Sequence, residues 1–372
     1  MPSRRDGPPY LMDEMIAAEP AFAERLLWRL AAPDGPAARL AAEVRAAAEA
    51  GAPIIATGCG TSEHGAMAVA AILTDALRTA GLDRRVASRQ AFEAALDPVA
   101  GGLLIGVSHE GGTAATIRAM EAARAHGARV ATITVSDRSP GAAAADLVVT
   151  TEELDQSWCH TIGYLSPILV AAAVGGRIAG APVETQAVRD LLESGRMCAP
   201  AAEAMAGELG GCTTLVVAAS GTDRVAAREL ALKIEEACHL PATARDLETL
   251  LHGHFPAMDA STGMILILAD PVARDRRWLR AQDLLAAASR IGVRAAALLP
   301  AGASWALPPA LTPAGRILVP DGPLSPPPVA ALTGTAVPLQ VLTSRLARVR
   351  GTQPDVLRRD EDAYREAAAA VE

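Results

Sequence analysis

The sequence has few lysines, few aromatic side chains and no cluster of basic residues. Lys233 is the only lysine among 372 residues, and aromatic residues make up 3% of the chain. Acidic residues outnumber basic ones by 42 to 34, so the formal net charge is −8. Nucleic-acid binding is not expected, because phosphate contacts need clustered lysine and arginine and single strands stack on aromatic side chains.

The cysteines are few and follow no paired spacing. There are five of them, an odd number, with no CxxC motif: Cys59, Cys159, Cys198, Cys212 and Cys238. This pattern argues against a disulfide framework or a zinc ribbon and indicates a reducing compartment. The N-terminal segment carries charges and prolines where a signal peptide has an apolar run. The apolar run at 165–174 is shorter than the ~20 residues of a membrane span. We therefore expect a cytoplasmic protein with no membrane partner.

What the chain does contain is a large apolar fraction arranged in short runs. Hydrophobic residues make up 51% of the sequence and charged residues 20%, which predicts a folded chain with a sizeable core. Continuous apolar runs are typical of strands that are covered on both faces. The predicted strands are 53–57, 103–107, 130–135, 147–150, 214–218, 264–268, 295–299 and 317–320. The predicted helices are 62–80, 113–127, 162–179, 223–239, 275–291 and 335–350.

The strand–helix alternation occurs twice. GCGTSEHG at 58–65 and ASGTDRVA at 219–226 each follow the first strand of a set, offset by 161 residues. The pattern predicts an α/β protein with two tandem, doubly wound parallel-sheet subdomains, each an αβα sandwich. The expected segments are a helical N-terminal extension at 1–34, subdomains at 35–185 and 200–345, and a C-terminal tail at 346–372. A linker is expected within 180–210, and a proline-rich loop at 320–328.

Two loops combine glycine with hydroxyl residues. The first is Cys59-Gly60-Thr61-Ser62 and the second is SHEGGTAAT at 108–116. Glycine permits a tight turn, a hydroxyl can cap the next helix, and the amides at that helix start can hold an anion. At adjacent strand ends, two such loops would form a crevice where open α/β sheets bind ligands. Either loop alone could be an ordinary strand–turn–helix connection.

These two motifs resemble the sugar isomerase (SIS) domain family over about residues 35–355. The architecture is similar to the isomerase half of glucosamine-6-phosphate synthase. The family also includes ketose/aldose isomerases, aminosugar-phosphate deaminases and fructosamine-6-phosphate deglycases. The resemblance implies a sugar or sugar-phosphate ligand, and we expect no cofactor and no metal. The expected ligand-binding residues are Cys59, Gly60, Thr61, Ser62, Ser108, His109, Glu110, Gly111, Thr113, Gln156 and Trp158.

A third motif lies in the second half. Lys233 and Glu236 match the family pattern A-L-K-x-K-E, and His252 follows Glu236 by sixteen residues, as the family histidine does. The resemblance implies Glu236 as the base that moves a proton between C1 and C2 through an enediol. It implies His252 as the acid for ring opening or for the leaving group, supplied by the second subunit of a homodimer, with Lys233 orienting Glu236. The alternative is a solvated i,i+3 pair and a loop histidine.

One departure from the family concerns the ligand loop. Glu110 stands where the family pattern S-x-S-G-x-T has its second serine. A carboxylate about 4 Å from a phosphate would repel it by ~4 kcal/mol at an effective dielectric of 20. Glu110 therefore turns away, is protonated or paired with His109, or faces a ligand without a phosphate there. Of these, an altered phosphate site is slightly favoured.

Other departures concern the tail and the second half. Residues 351–360 contain no lysine, so the Schiff base of the synthase is not expected, although Arg358 or Arg359 could contact an anionic group.

An isomerase is the first hypothesis for the function. A deglycase or deaminase is the second, and a non-catalytic sugar-phosphate sensor is the third. Asp223 replaces the serine of the second-half loop, so we expect one working anion crevice per chain.

Overall fold

Two parallel sheets of five strands, one in each half of the chain, form the framework of the protein in a computed structural model. The structure describes residues 5–321 and 326–370. The first half contains α1 (Leu11–Leu30), α2 (Pro36–Glu49), β1 (Ile54–Gly58), α3 (Thr61–Thr79), β2 (Val86–Gln90), α4 (Ala91–Leu96), β3 (Leu103–Val107), α5 (Ala114–Ala125), β4 (Arg129–Thr134), α6 (Pro140–Ala143), β5 (Leu147–Thr150) and α7 (Ile162–Ala179).

The second half repeats this alternation. It contains α8 (Thr185–Arg196), α9 (Ala199–Leu209), β6 (Thr214–Ala219), α10 (Asp223–Cys238), β7 (Ala242–Asp246), α11 (Leu247–Leu250), β8 (Thr262–Ile267), α12 (Arg274–Arg290), β9 (Arg294–Pro300), β10 (Arg316–Val319), α13 (Pro327–Arg350) and α14 (Asp362–Ala369). Three 3₁₀ turns at Phe255–Ala257, Ala301–Ala306 and Pro309–Leu311 join some of these elements.

Both sheets have the same strand order. The first runs β2-β1-β3-β4-β5, and the second, read from its opposite edge, runs β7-β6-β8-β9-β10. Every neighbouring pair is parallel. This arrangement confirms the predicted α/β fold with two doubly wound halves. It places the β1–α3 loop and the β6–α10 loop at equivalent carboxyl edges.

All eight predicted strands are present, each with bounds within two residues of the prediction. The two strands that the prediction missed are β2 and β7. Each lies at an edge of its sheet and pairs with one neighbour. Their sequences, VASRQ and ATARD, are mostly polar, and after a first buried residue the remaining positions are partly or fully exposed. An edge strand of this kind carries no continuous apolar signal.

Two other predictions need correction. The helix expected at 335–350 begins at Pro327, because proline is tolerated in the first turn of a helix. The region expected to be a linker is largely helical, since α8 and α9 lie within it and pack against α13. Part of the predicted proline-rich loop, residues 322–325, lies outside the described residues. The four segment boundaries stay a prediction.

The apolar run at 165–174 lies in α7. In the described part of the chain, α7 is the one helix long and apolar enough to cross a membrane by length and composition, and 83% of it is buried inside the fold. It packs against α1, α2 and α3, which makes it the central helix of the first-half core.

Candidate functional site

The first ligand loop meets helix α10 of the other half. Gly60 adopts a left-handed backbone with φ of +56°, a conformation that favours glycine, and Thr61 then begins α3. The Thr61 hydroxyl accepts a hydrogen bond of 2.9 Å from the Lys233 ammonium. The same hydroxyl donates to Oε1 of Glu229 at 3.2 Å. A loop from the first half therefore contacts the helix that carries the predicted base.

Lys233 is wholly buried between two carboxylates. Its Nζ lies 2.7 Å from Oε2 of Glu236 and 3.3 Å from Oε1 of Glu229. Burial alone would lower the pKa of Lys233, but Glu229 and Glu236 together raise it above its ordinary value. The side chain is thus a fixed cation. The solvated-pair alternative is wrong for Lys233, whose side chain has no exposed surface.

The carboxyl of Glu236 is partly exposed, and its pKa is raised. Its side chain is 20% exposed, so it can reach a ligand. Burial raises its pKa above the ordinary value, against the opposing attraction of Lys233. The thiol of buried Cys159 interacts with the same carboxyl. A carboxyl whose pKa is shifted towards neutral pH suits general base or acid chemistry.

Glu229 and His64 extend this cluster and were not predicted. Glu229 is wholly buried, and Nδ1 of His64 lies 2.7 Å from its Oε2. Burial would raise the pKa of Glu229, but Lys233 and His64 hold it below the ordinary value. Glu229 could have been predicted from the sequence, because its i,i+4 spacing from Lys233 places the two residues on one helix face. We define the buried ion cluster as His64, Glu229, Lys233 and Glu236.

The second ligand loop lies beside the first. The Cys59 thiol, whose pKa is raised by burial, interacts with the hydroxyl of Thr116 near the start of α5. Ser108 is buried and donates to the Thr113 hydroxyl at 3.4 Å. Gly111 has a left-handed φ of +73°, and a Cβ there would collide with the side chain of Ser139. The two loops are therefore adjacent, as the sequence predicted.

Glu110 and His109 do not pair within the described residues. Glu110 is exposed, and its turning away from a ligand stays a prediction. His109 is buried, and its Nε2 accepts the backbone N–H of Asp155 at 3.0 Å. Burial lowers the pKa of His109 to about 4, so the ring is neutral. The structure thus places His109 as a support for the 155–160 segment.

The 155–160 segment contacts the C-terminal tail. The Trp158 backbone N–H donates to the carbonyl of Asp355 at 3.0 Å, and the Arg359 guanidinium lies 4.7 Å from the centre of its indole ring. Gln156 is exposed and donates to the Leu154 carbonyl. The same segment supplies Cys159, so it connects the tail to the buried ion cluster.

His252 lies apart from this cluster within one chain. Its side chain is 69% exposed, and its Nε2 lies 2.8 Å from Oε1 of Glu248. Glu248 also pairs with Arg280 at 2.6 Å. No hydrogen bond or ion pair joins His252 to Glu236 in residues 5–321 and 326–370. A role for His252 beside Glu236 therefore requires another copy of the chain.

In the second half, helix α10 begins with a buried acid. Asp223 accepts the backbone N–H groups of Ala269 at 2.8 Å and Asp270 at 2.9 Å. Burial raises its pKa to about 7. Its carboxyl is engaged inside the protein, at the position where the first half has Ser62.

Comparisons with known proteins agree with this fold. Residues 48–173 match the family model described as the SIS domain. The structure is similar to the C-terminal domain of glucosamine-fructose-6-phosphate aminotransferase from Francisella tularensis, with a TM-score of 0.80, 15% identity and coverage of 95% of this chain and 99% of that one. It is similar to tagatose-6-phosphate ketose/aldose isomerase from Escherichia coli, with a TM-score of 0.74, 18% identity and coverage of 96% and 97%.

A third similar structure is glucosamine-6-phosphate deaminase from Thermotoga maritima, with a TM-score of 0.64, 17% identity and coverage of 93% of this chain and 95% of that one. No curated protein matches the sequence. The chain therefore contains a SIS domain, and as a whole it has the fold of these structures.

The buried Asp223 predicts a pH dependence of stability. Its pKa is raised from 3.8 to about 7 in the folded protein, so between about pH 4 and pH 7 the folded state keeps a proton that the unfolded state releases. This contribution to stability is complete below about pH 4 and is lost as the pH rises, by at most roughly 1.4 kcal/mol per pH unit. The variant Asp223→Asn should lack it.

Urea denaturation at several pH values, for the wild type and Asp223→Asn, measures the difference in the free energy of unfolding. That difference should change steadily between about pH 4 and pH 7. Asp137→Asn, at an exposed position, serves as the control. Parallel pH profiles for wild type and Asp223→Asn would contradict the prediction.

Proposed function

We propose that this SIS-domain protein is an enzyme that moves a proton between C1 and C2 of a sugar or aminosugar, expected as its phosphate ester. The observation that carries the proposal is the contact between Thr61 of the ligand loop and Lys233 of α10, whose ammonium also holds Glu236. One chain thus joins a ligand loop to an accessible carboxyl. The names of the similar structures, an aminotransferase domain, a ketose/aldose isomerase and a deaminase of sugar phosphates, support this reaction class.

In this proposal, ionised Glu236 removes the proton from the carbon next to the carbonyl. The carbonyl oxygen takes up a proton to give the enediol, Glu236 returns its proton to the carbon that carried the carbonyl, and the hydroxyl on the other carbon releases a proton as it becomes the new carbonyl. Lys233 holds Oε2 of Glu236, which leaves Oε1 for the substrate. Glu229 anchors the ammonium from its other side. The raised pKa of Glu236 makes it a stronger base than an exposed carboxylate.

The ligand loops supply the binding groups. The hydroxyls of Ser62, Ser108 and Thr113, together with the amides at the starts of α3 and α5, suit a phosphate or the hydroxyls of a sugar. Glu110 is exposed, and it is proposed to turn away from the ligand, which avoids the direct repulsion that the sequence suggested. Cys59, which interacts with Thr116 near the start of α5, and Trp158 of the 155–160 segment are proposed as walls of the site.

Loss of an amine is a second candidate reaction, as in a deglycase or deaminase. Lys233 is buried and paired with two carboxylates, so it cannot present a free amine for a Schiff base. Glu236 and His252 would then have to release the amine by acid–base chemistry alone. Release of free amine or ammonia from an aminosugar phosphate distinguishes this reaction from isomerisation.

Substitution of Glu236 tests the base. Glu236→Gln should lower proton exchange between substrate and water at C1 or C2 by at least roughly 10²-fold, the lower end of general-base contributions, without unfolding the protein. The measurement is deuterium incorporation by NMR with a panel of hexose and hexosamine 6-phosphates. Glu235→Gln is the matched control, because Glu235 is exposed and accepts from the Ala242 amide, a contact that glutamine can keep. Undiminished exchange in Glu236→Gln would remove this residue from the mechanism.

Mixing two inactive variants tests whether His252 acts across a homodimer. Glu236→Gln and His252→Asn should each be inactive alone. After mixing and re-association, half of the dimers are hybrids with one intact site of two, so about a quarter of wild-type activity should return. Full activity of His252→Asn, or no recovery on mixing, would contradict the cross-subunit role.

A thermal-shift series tests whether the ligand loops bind the phosphate group of the sugar. A ligand that binds the native state raises stability by RT ln(1 + [L]/Kd), about 2.7 kcal/mol at 100 times Kd. Hexoses and hexosamines with a 6-phosphate should stabilise the protein more than the same sugars without it. Glu110→Gln should change the shift little, because that side chain is exposed. Equal shifts with and without phosphate would show that the loops bind hydroxyls only.

A further inference from the structure

A second imidazole, that of His160, connects the second ligand loop to the buried ion cluster. Its ring lies against the ring of His109 in that loop, with centroids 5.1 Å apart and planes tilted by 57°. The residue before it, Cys159, is buried and interacts with the carboxyl of Glu236. His160 therefore lies between a loop proposed to bind the ligand and the carboxyl proposed as the base.

Gly163, at the start of α7, makes room for the two imidazoles. A Cβ built on this glycine would lie 3.1 Å from Cβ and 3.3 Å from Cγ of His160, and 3.3 Å from Cγ of His109. These distances are shorter than ordinary contacts between carbon atoms. The backbone N–H of Gly163 donates to Asp155 at 3.0 Å, so the backbone against which the rings pack is itself held. The position of the His160 ring is thus defined by packing on both sides.

The nitrogens of the two rings differ in their surroundings. In His109, Nε2 accepts the backbone N–H of Asp155, and Nδ1 is enclosed by protein. His160 is partly exposed. Neither of its ring nitrogens makes a hydrogen bond or an ion pair within residues 5–321 and 326–370, and neither is fully enclosed. A ring that is held by packing alone keeps its donor and its acceptor for a ligand.

The surroundings of His160 keep its ring uncharged. Burial, together with His109 and Lys233, lowers the pKa of His160 to about 3, against the opposing effect of Glu229. One ring nitrogen therefore carries a hydrogen at neutral pH and the other a lone pair. A neutral imidazole N–H can polarise a substrate carbonyl. The nearby ammonium of Lys233 favours negative charge that develops beside it during a reaction.

The proposed reaction needs a group that handles the protons on the substrate oxygens. Glu236 carries the proton that moves between the carbons. Lys233 keeps its own proton, because two carboxylates hold its pKa above the ordinary value. His252 belongs to another copy of the chain and is assigned to ring opening or to the leaving group. The unbonded imidazole of His160 is available in the same chain as Glu236.

We propose that His160 is a further catalytic residue, which moves a proton between the two substrate oxygens; this inference rests on the proposed function. As Glu236 takes the carbon proton, the His160 N–H gives its proton to the carbonyl oxygen, and the enediol forms. The ring is then an imidazolate close to the Lys233 ammonium. The same nitrogen takes the proton of the other hydroxyl while Glu236 returns its proton to the former carbonyl carbon. The imidazole is neutral at the beginning and at the end, and no other reactant is needed.

The experiment separates the proton on carbon from the proton on oxygen. Fructose 6-phosphate and tagatose 6-phosphate are incubated with the protein in D₂O, and NMR measures deuterium at C1 of the recovered ketose and formation of the aldose phosphate. Glutamine keeps an N–H donor but cannot pass a proton on. In His160→Gln, aldose formation should therefore fall at least roughly 10²-fold, and the ratio of C1 exchange to aldose formation should rise. His126→Gln, at an exposed position, is the matched control and should change neither quantity.

A smaller loss of aldose formation, or an equal loss of C1 exchange, would overturn the role of His160, because the second pattern is that of a generally disturbed site. If His160→Gln does not fold, Gly163→Ala replaces it, since the added methyl group displaces the imidazoles without removing a donor. It should lower aldose formation several-fold and C1 exchange less, and equal losses would again overturn the inference. Absence of both reactions in the wild type would instead overturn the proposed function, and the inference with it.

Discussion

The buried ammonium of Lys233 is the interaction on which the arrangement of the candidate site depends. A charge removed from water without partners costs several kcal/mol, and loss of one partner of a buried pair costs about 3–5 kcal/mol. Lys233 avoids this cost through Glu229, Glu236 and the Thr61 hydroxyl. Because Thr61 belongs to the first half and the carboxylates to the second, the same electrostatic requirement holds the two halves in register. It also fixes the carboxyl of Glu236 next to the ligand loop.

The two halves share a fold, but the loop after their first strand differs between them. Both halves share a strand order and a left-handed glycine before the first crossover helix. In the first half the loop is open, and α10 approaches it from the other half. In the second half the equivalent position is taken by Asp270, supported by Arg277 and Asp223. One carboxylate is thus enough to turn an open anion-binding loop into an internally paired one.

Some features could be read directly from the sequence because they are local. The eight apolar strands follow from continuous runs that only a doubly covered sheet would bury, and the Lys233–Glu236 contact follows from i,i+3 helix geometry. The edge strands β2 and β7 could not be read this way, because their exposed residues carry no apolar signal. The start of α13 was obscured by prolines, which a loop and a first helical turn tolerate equally.

The sequence by itself determined the fold class, the duplication and the presence of a helix that carries a lysine beside a carboxyl. Only the tertiary structure decided that Thr61 reaches Lys233 across 172 residues of chain, and that Glu229 and His64 join the cluster. It also decided that His109 is buried as a support, that Glu110 faces solvent and that His252 lies elsewhere on the surface. The reason is physical. Periodicity and helix spacing act between near neighbours, whereas burial and ion pairing depend on which distant segments the packed core brings together.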